Sequence, residues 1–187
     1  MKSFAALALA ILLTPAAQAQ HQTLTLTPDA SQVHITLNTN HELVNGTFHL
    51  QSGTINFDPA IPKLSGSITV LAATGNTGSP ARDKRMNNEI LKASQFTNIT
   101  FEPKSYTGTI PPTGDTTLQV TGIFTLLGTP HEITIPMQVH LDPTNVFAKA
   151  HFTIPYVQWG LKDPSLLIWK AEKNVTIDLT LSGHLTK

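Results

Sequence analysis

The residues best equipped for chemistry sit in one charged stretch, "SPARDKRMNNEILKASQF" (79–96). Arg82 and Asp83 stand side by side there, between a Ser-Pro pair and the apolar Met86. A guanidinium fork and a carboxylate can bind a polar or charged group, and joined by a histidine such as His41 they would make an acid/base cluster. A catalytic reading is poorly supported, because no nucleophile–base pair accompanies them. The chain has no G-x-S-x-G, no H-E-x-x-H, no phosphate-cradling glycine loop and no calcium-loop pattern. It also has no cysteine, which excludes thiol nucleophiles and thiolate metal sites. No catalytic residues are expected, and the protein reads as a non-enzyme.

Eight histidines raise the question of a metal. His34, His49, His140 and His151 alternate with apolar neighbours, so they face away from an apolar interior, while His41 and His131 sit beside turns. Scattered, solvated imidazoles are the simpler reading, and no metal or cofactor is expected. Twelve basic residues balance twelve acidic ones and only 13% of residues are charged, so nothing points to nucleic acid. The sequons at Asn45, Asn98 and Asn174 fit the general abundance of Asn and Thr.

The elements that must position Arg82 and Asp83 are strands. "QVHITLNT" puts Val33, Ile35 and Leu37 on one face, and "TFHLQSGTINF" starts with Phe48 and Leu50 inward, then changes parity to Ile55 and Phe57. That change predicts a β-bulge or bend at Ser52-Gly53. Ile68 and Val70 form the next inward pair, followed by Ile99 and Phe101. Stricter alternation follows in the second half, where the inward faces include Leu118, Val120 and Phe124, then Ile135 and Met137, then Phe152, and finally Ile177 and Leu179. Proline- and glycine-bearing turns separate the runs. Eight or nine strands with one apolar face each read as antiparallel, closed into a barrel or folded into a sandwich.

Two regions break the alternation. In residues 79–96, Ser79 would cap a helix with Pro80 at its first position, and Met86, Ile90 and Ala93 would form a narrow apolar stripe. The other, "WGLKDPSLLIW" (159–169), is apolar without a period and reads as a plug on the barrel end or as a mobile flap. Gly122, Ala148 and Ala150 lie among large inward residues; they either leave room for a slender ligand or match large partners across a packed core.

At the N-terminus, Lys2, the apolar run Phe4 to Leu13 and Ala17-Gln18-Ala19 have the form of a cleavable secretory signal over residues 1–19. Its apolar run is short for a membrane span. Residues 20–187 would then be one exported all-β domain, periplasmic or secreted, held together without disulfides.

Several segments in order resemble the YceI-like, polyisoprenoid-binding family. "DASQVHITLNTNHELVNGTFHLQSGTINFDP" is similar to the family's opening strands, with His41, Gly46 and Phe48 at its His and Gly-x-Phe positions. "RDKRMNNEILKASQFTNITFEP" resembles its R-D-x-x-[ML] block, carried by Arg82, Asp83, Met86, Phe96, Ile99 and Phe101. "VTGIFTLLGTPHEITIPM" is similar to its G-x-L-T hairpin, and Val175, Ile177 and Leu179 to its closing strand. Two positions depart: Gln32 after Ser31, where His-Ser is usual, and Trp159 where a Phe precedes Gly160.

The resemblance implies an all-β, extended, antiparallel eight-stranded lipocalin-like barrel with one short helix between strands. It further implies a polyisoprenoid ligand, such as a ubiquinone-like molecule, held for transport, storage or a stress response. The lipid tail would contact Val33, Ile35, Phe48, Leu50, Ile68, Ile99, Phe101, Leu118, Val120, Phe124, Ile135, Met137, Phe152, Ile177 and Leu179. Arg82, Asp83, Met86, Tyr106 and Trp169 would meet the head group at the mouth. Transient membrane contact and a homodimer are compatible with this reading. The competing readings are a ligand-free interaction protein with a filled barrel and, more remotely, an enzyme acting on a lipid or small metabolite.

Overall fold

Alternating apolar and polar residues produce ten strand segments: β1 Gln22–Leu26, β2 Gln32–Asn38, β3 Leu43–Phe48, β4 Leu50–Asp58, β5 Ile61–Leu71, β6 Asn98–Thr107, β7 Gly114–Leu126, β8 Thr129–Leu141, β9 Asn145–Ile154 and β10 Val175–Thr186. The computed structural model describes residues 21–186, and the expected signal segment lies outside the described residues. All pairings between these strands are antiparallel, and β10 closes the ring. One edge of β10 pairs with β9; its other edge pairs with β2 along Thr176–Thr180 and with β1 along Gly183–Thr186.

β1 and β2 are therefore two halves of one wall position. Between them Pro28, which has no N–H for a ladder, starts a 3-10 turn over Pro28–Ala30. β3 and β4 are the halves of the next position, with β3 on β2 and β4 on β1. β5 to β9 follow in chain order, so ten segments make eight positions of a closed antiparallel barrel.

The expected change of parity is present, but its bulge lies between Leu50 and Ser52, a step before Ser52-Gly53. Gly53 then faces inward, where an added Cβ would lie 2.4 Å from Leu26 Cδ1. Short turns close the lower end after β4, β6 and β8. There Leu24, Leu26, Leu50, Phe57, Leu141, Val146, Ala148 and Leu181 pack into a buried cluster. Small inward residues are used for packing: a Cβ on Gly122 would stand 2.7 Å from the Phe101 ring, and Ala148 belongs to the lower cluster. Of the two readings of these residues, matching large partners is the one the geometry supports.

The upper end carries the long connections. Helix α1, Pro80–Arg85, follows β5 and continues as a single wider π turn over Met86–Ile90. Ser79 stands at the cap position but makes no side-chain capping bond. Asp83 holds this end instead, its Oδ1 accepting from Thr77 N at 2.8 Å and Thr77 Oγ1 at 2.6 Å. Met86 and Ile90 pack on the main core, and Ala93 is buried. The connection from β9 to β10, residues 155–174, forms a strap over the same end.

Candidate functional site

Between the packed lower cluster and the upper cap lies a cavity of about 670 Å³, within the ~300–1,000 Å³ typical of small-molecule sites. The alternation that builds each strand supplies its wall. Val33, Ile35, Phe48, Ile68, Ile99, Phe101, Phe124, Ile135, Phe152, Ile177 and Leu179 all face it. Leu50, Leu118, Val120 and Met137 share that inward parity but do not line the cavity; Leu50 belongs to the lower cluster, and Leu118 and Val120 are buried in the core.

Polar and charged lining comes almost entirely from the cap. Thr39 and Glu42 reach it from the β2–β3 turn, Thr77, Ser79, Arg82 and Arg85 from the helix region, and Ser165 and Lys170 from the strap. Arg82 Nη1 pairs with Glu42 Oε1 at 2.8 Å, and its Nε donates to Thr77 Oγ1 at 3.0 Å. Since Thr77 Oγ1 donates in turn to Asp83, the carboxylate orients the guanidinium through one hydroxyl. Asp83 thus supports Arg82 from behind and does not itself line the cavity. Met86 and Trp169 do line it.

Tyr106 lies elsewhere. A bulge between Pro103 and Ser105 turns its ring into the core, and its hydroxyl donates to Pro59 O, at 3.2 Å, beside the β4–β5 turn at the closed end. His41 is exposed with its ring 4.0 Å from that of Trp169, and no hydrogen bond joins it to Arg82 or Asp83 among the described residues. The acid/base cluster that the disfavoured enzyme reading would need from these three is not assembled. Among the described residues no group of three or more His, Asp or Glu is placed to hold a metal ion.

The strap divides into two parts. In the first, Tyr156 and Leu161 are buried, and Trp159 stacks on His131 with ring centroids 4.1 Å apart. Tyr156 donates its hydroxyl proton to Glu172 O at 2.8 Å, and burial pushes its pKa up to about 12, so it stays neutral. This half is a plug. The second half, residues 164–171, borders the opening and leaves Leu166 to Trp169 exposed. Cross-links fasten the strap to the helix: Arg85 Nη1 donates to Pro164 O at 3.0 Å, and Lys162 meets Glu89 at 2.6 Å.

A second clasp lies within the strap, where Lys173 pairs with Asp163. That bond, together with bonds from Ser165, holds the Asp163 carboxyl down to about 2. A folded value below the ordinary one means that the contribution is complete above about pH 4 and is lost only as pH falls through about 2. Hydrogen exchange over residues 162–173, corrected for intrinsic chemistry, should therefore be constant from neutral to mildly acid solution. Asp163→Asn should raise it across that whole range. A rise in wild-type exchange between neutrality and about pH 5 would show that another group controls the strap.

Several lining residues were not among those expected from sequence. Leu37, Val70, Ile154 and Val175 follow the same alternation as their neighbours and were legible in it. Glu42, Thr77, Pro164 and Lys170 lie in turns and connections, where no period exists to read, and Arg85 ends a helix of six residues, too short for its polar positions to be told apart by period.

The family model described as the YceI-like domain matches residues 24–183. A protein of Pseudomonas syringae pv. tomato named UPF0312 protein is 27% identical over 194 residues, covering 97% of this chain and 96% of its own. Among solved structures, a polyisoprenoid binding domain from Saccharophagus degradans superposes with a TM-score of 0.67 at 17% identity, over 86% of this chain and 97% of that one. BcnA of Burkholderia cenocepacia gives 0.66 at 17%, over 84% and 98%. The YCEI protein of Campylobacter jejuni gives 0.52 at 20%, over 73% and 84%. At such identities the likeness of structure speaks for the barrel alone, whereas the family model spans nearly all of its strands. This chain belongs to the YceI-like domain family.

Proposed function

We propose that this protein is an exported binding protein that holds a polyisoprenoid lipid, with the tail in the barrel cavity and the polar head at the cap. The observation that carries the reading is the segregation of the cavity: its depth is aliphatic and aromatic, and its charged residues stand at one end. Each buried methylene contributes ~0.8 kcal/mol, so a few isoprene units offset the ~4–15 kcal/mol cost of association. Outward strand faces carry residues such as Gln119, Thr134, Gln138 and Lys149, which suits a barrel standing in water with its apolar side within. The similar barrel from Saccharophagus degradans is a polyisoprenoid binding domain, which supports the same ligand class. A ubiquinone-like head group fits the rim, because Arg82 can donate to a carbonyl oxygen there. The signal-like segment supports a periplasmic or secreted location, and binding rather than turnover is the activity.

Titration with a short-chain ubiquinone tests this directly. Saturable binding with a rise in melting temperature is expected, and a filled, unresponsive barrel would favour the ligand-free interaction protein. Arg82→Ala should lower quinone affinity about tenfold while costing at most ~1 kcal/mol of stability, because its ion pair is partly exposed. An unchanged affinity would leave Arg82 a fastener of the cap and nothing more.

A further inference from the structure

The strap ends in a tip whose residue choice conflicts with its conformation. Leu166 and Trp169 exchange backbone hydrogen bonds, N to O at 2.9 Å and 2.6 Å, which makes Leu167 and Ile168 the centre of a two-residue hairpin turn. Leu167 has φ +38°, a left-handed conformation that such turns normally give to Asn or Gly. The residue is 92% exposed, and Ile168 72%. Leu166 and Trp169 are more than half and nearly half exposed, and Leu43 is exposed at the start of β3. In water, a glycine at position 167 followed by a polar residue would serve this turn better in both respects.

We infer that this tip is the surface by which the protein docks on a lipid bilayer, so that the cavity mouth opens at the membrane. The inference rests on the lipid-binding reading above and deepens it. Three further observations favour a bilayer as the occupant.

The first is the accounting of backbone groups. Besides the Leu166–Trp169 pair, Asn40 Nδ2 donates to Ile168 O at 2.9 Å, and Asn40 Oδ1 accepts from Lys170 N at 2.8 Å. Asn40 N donates to Lys170 O at 2.9 Å. An ordinary surface loop leaves such groups to water; here those of Leu166, Trp169 and Lys170 and the Ile168 carbonyl are satisfied internally, which lowers the cost of leaving water and leaves only Leu167 and the Ile168 N–H to the head-group region. The second is continuity. Leu166 and Trp169 line the cavity as well as the tip, so an apolar track runs from the outermost residues into the binding space. The third is the order of chemistry along the tip. Leu167 and Ile168 are outermost, and Trp169 and then Lys170 follow, as side chains are arranged across a membrane–water interface. A narrow convex hairpin offers far less than the ~800 Å² per partner of a stable protein interface.

The test uses vesicles of phosphatidylethanolamine and phosphatidylglycerol loaded with ubiquinone, and the double variant Leu167→Asp/Ile168→Asp. Neither position lines the cavity, and both side chains stand in solvent, so folding should be retained; the melting temperature checks this. Wild-type protein should associate with vesicles in high as well as low salt. In a Trp159→Phe background, Trp169 becomes the sole tryptophan, and brominated acyl chains should quench it. The double variant should lose about tenfold in vesicle association and in the rate of quinone uptake from vesicles. Its affinity for detergent-dispersed quinone should be unchanged. Uptake at the wild-type rate by the double variant would overturn the docking surface. So would association that salt abolishes, or a change from dimer to monomer with vesicle binding intact. Failure of wild type to bind dispersed quinone would count against the lipid-binding reading instead, and the vesicle-association arm would still decide the docking surface.

Discussion

Val70→Trp should reduce quinone affinity by roughly a hundredfold or more and leave the melting temperature close to that of the wild type. Val70 lies mid-wall, paired with Leu50 on one side and Ile99 on the other, and its side chain faces the cavity. An indole there would enter space that the ligand needs, excluding about four methylenes' worth of tail, or ~3 kcal/mol. The same change in a packed core would cost ~1–3 kcal/mol through overpacking. A cavity of about 670 Å³ has room for the ring, so that penalty should not appear. Isothermal titration together with a melting curve of the ligand-free protein separates the two effects. A large fall in stability would mean that the space is not open in solution, and unchanged affinity would mean that the ligand lies elsewhere.

The converse is expected at the other end. Leu181→Ala removes a side chain that is only 3% exposed, in the cluster with Leu24, Leu26 and Phe57. Deleting it should cost ~2–5 kcal/mol, because neighbours collapse only partly around the void. For a domain of this size that is a fall of roughly 4–20 °C in melting temperature. Affinity for a quinone should be unaffected, since Leu181 does not line the cavity. The pair of variants thus divides the barrel into a lower half that carries stability and an upper half that carries ligand. Equal effects of each variant on both properties would remove that division.

Much of this division was not legible in the residues. Alternation told which face each strand turns inward, and Val33, Ile35, Phe101, Phe124 and Ile177 are all placed by it. It carries no information about height along the barrel axis, so Leu50, Leu118, Val120 and Met137 looked equivalent to residues that line the cavity. Height depends on register between strands, which the turns and bulges set. Tyr106 shows the same limit: a bulge two residues upstream and pairing near β5 carry it to the closed end. The splitting of one wall position into β1 and β2 was visible only as Pro28 in a run of strand residues. Arg82 and Asp83 stood out by charge contrast, but their division of labour depends on Thr77, which no motif marks. The hairpin at Leu167-Ile168 was hidden for a further reason, since its residues contradict the usual chemistry of the turn they form.

The central claim, that the upper cavity holds a prenyl lipid, is tested most directly by mass spectrometry of lipids extracted from protein purified from its native source. The account predicts a polyisoprenoid or prenyl quinone in stoichiometric association with the wild-type protein and depleted from Val70→Trp. A clean absence of prenyl lipid from the wild type, with no uptake of added ubiquinone, would contradict it.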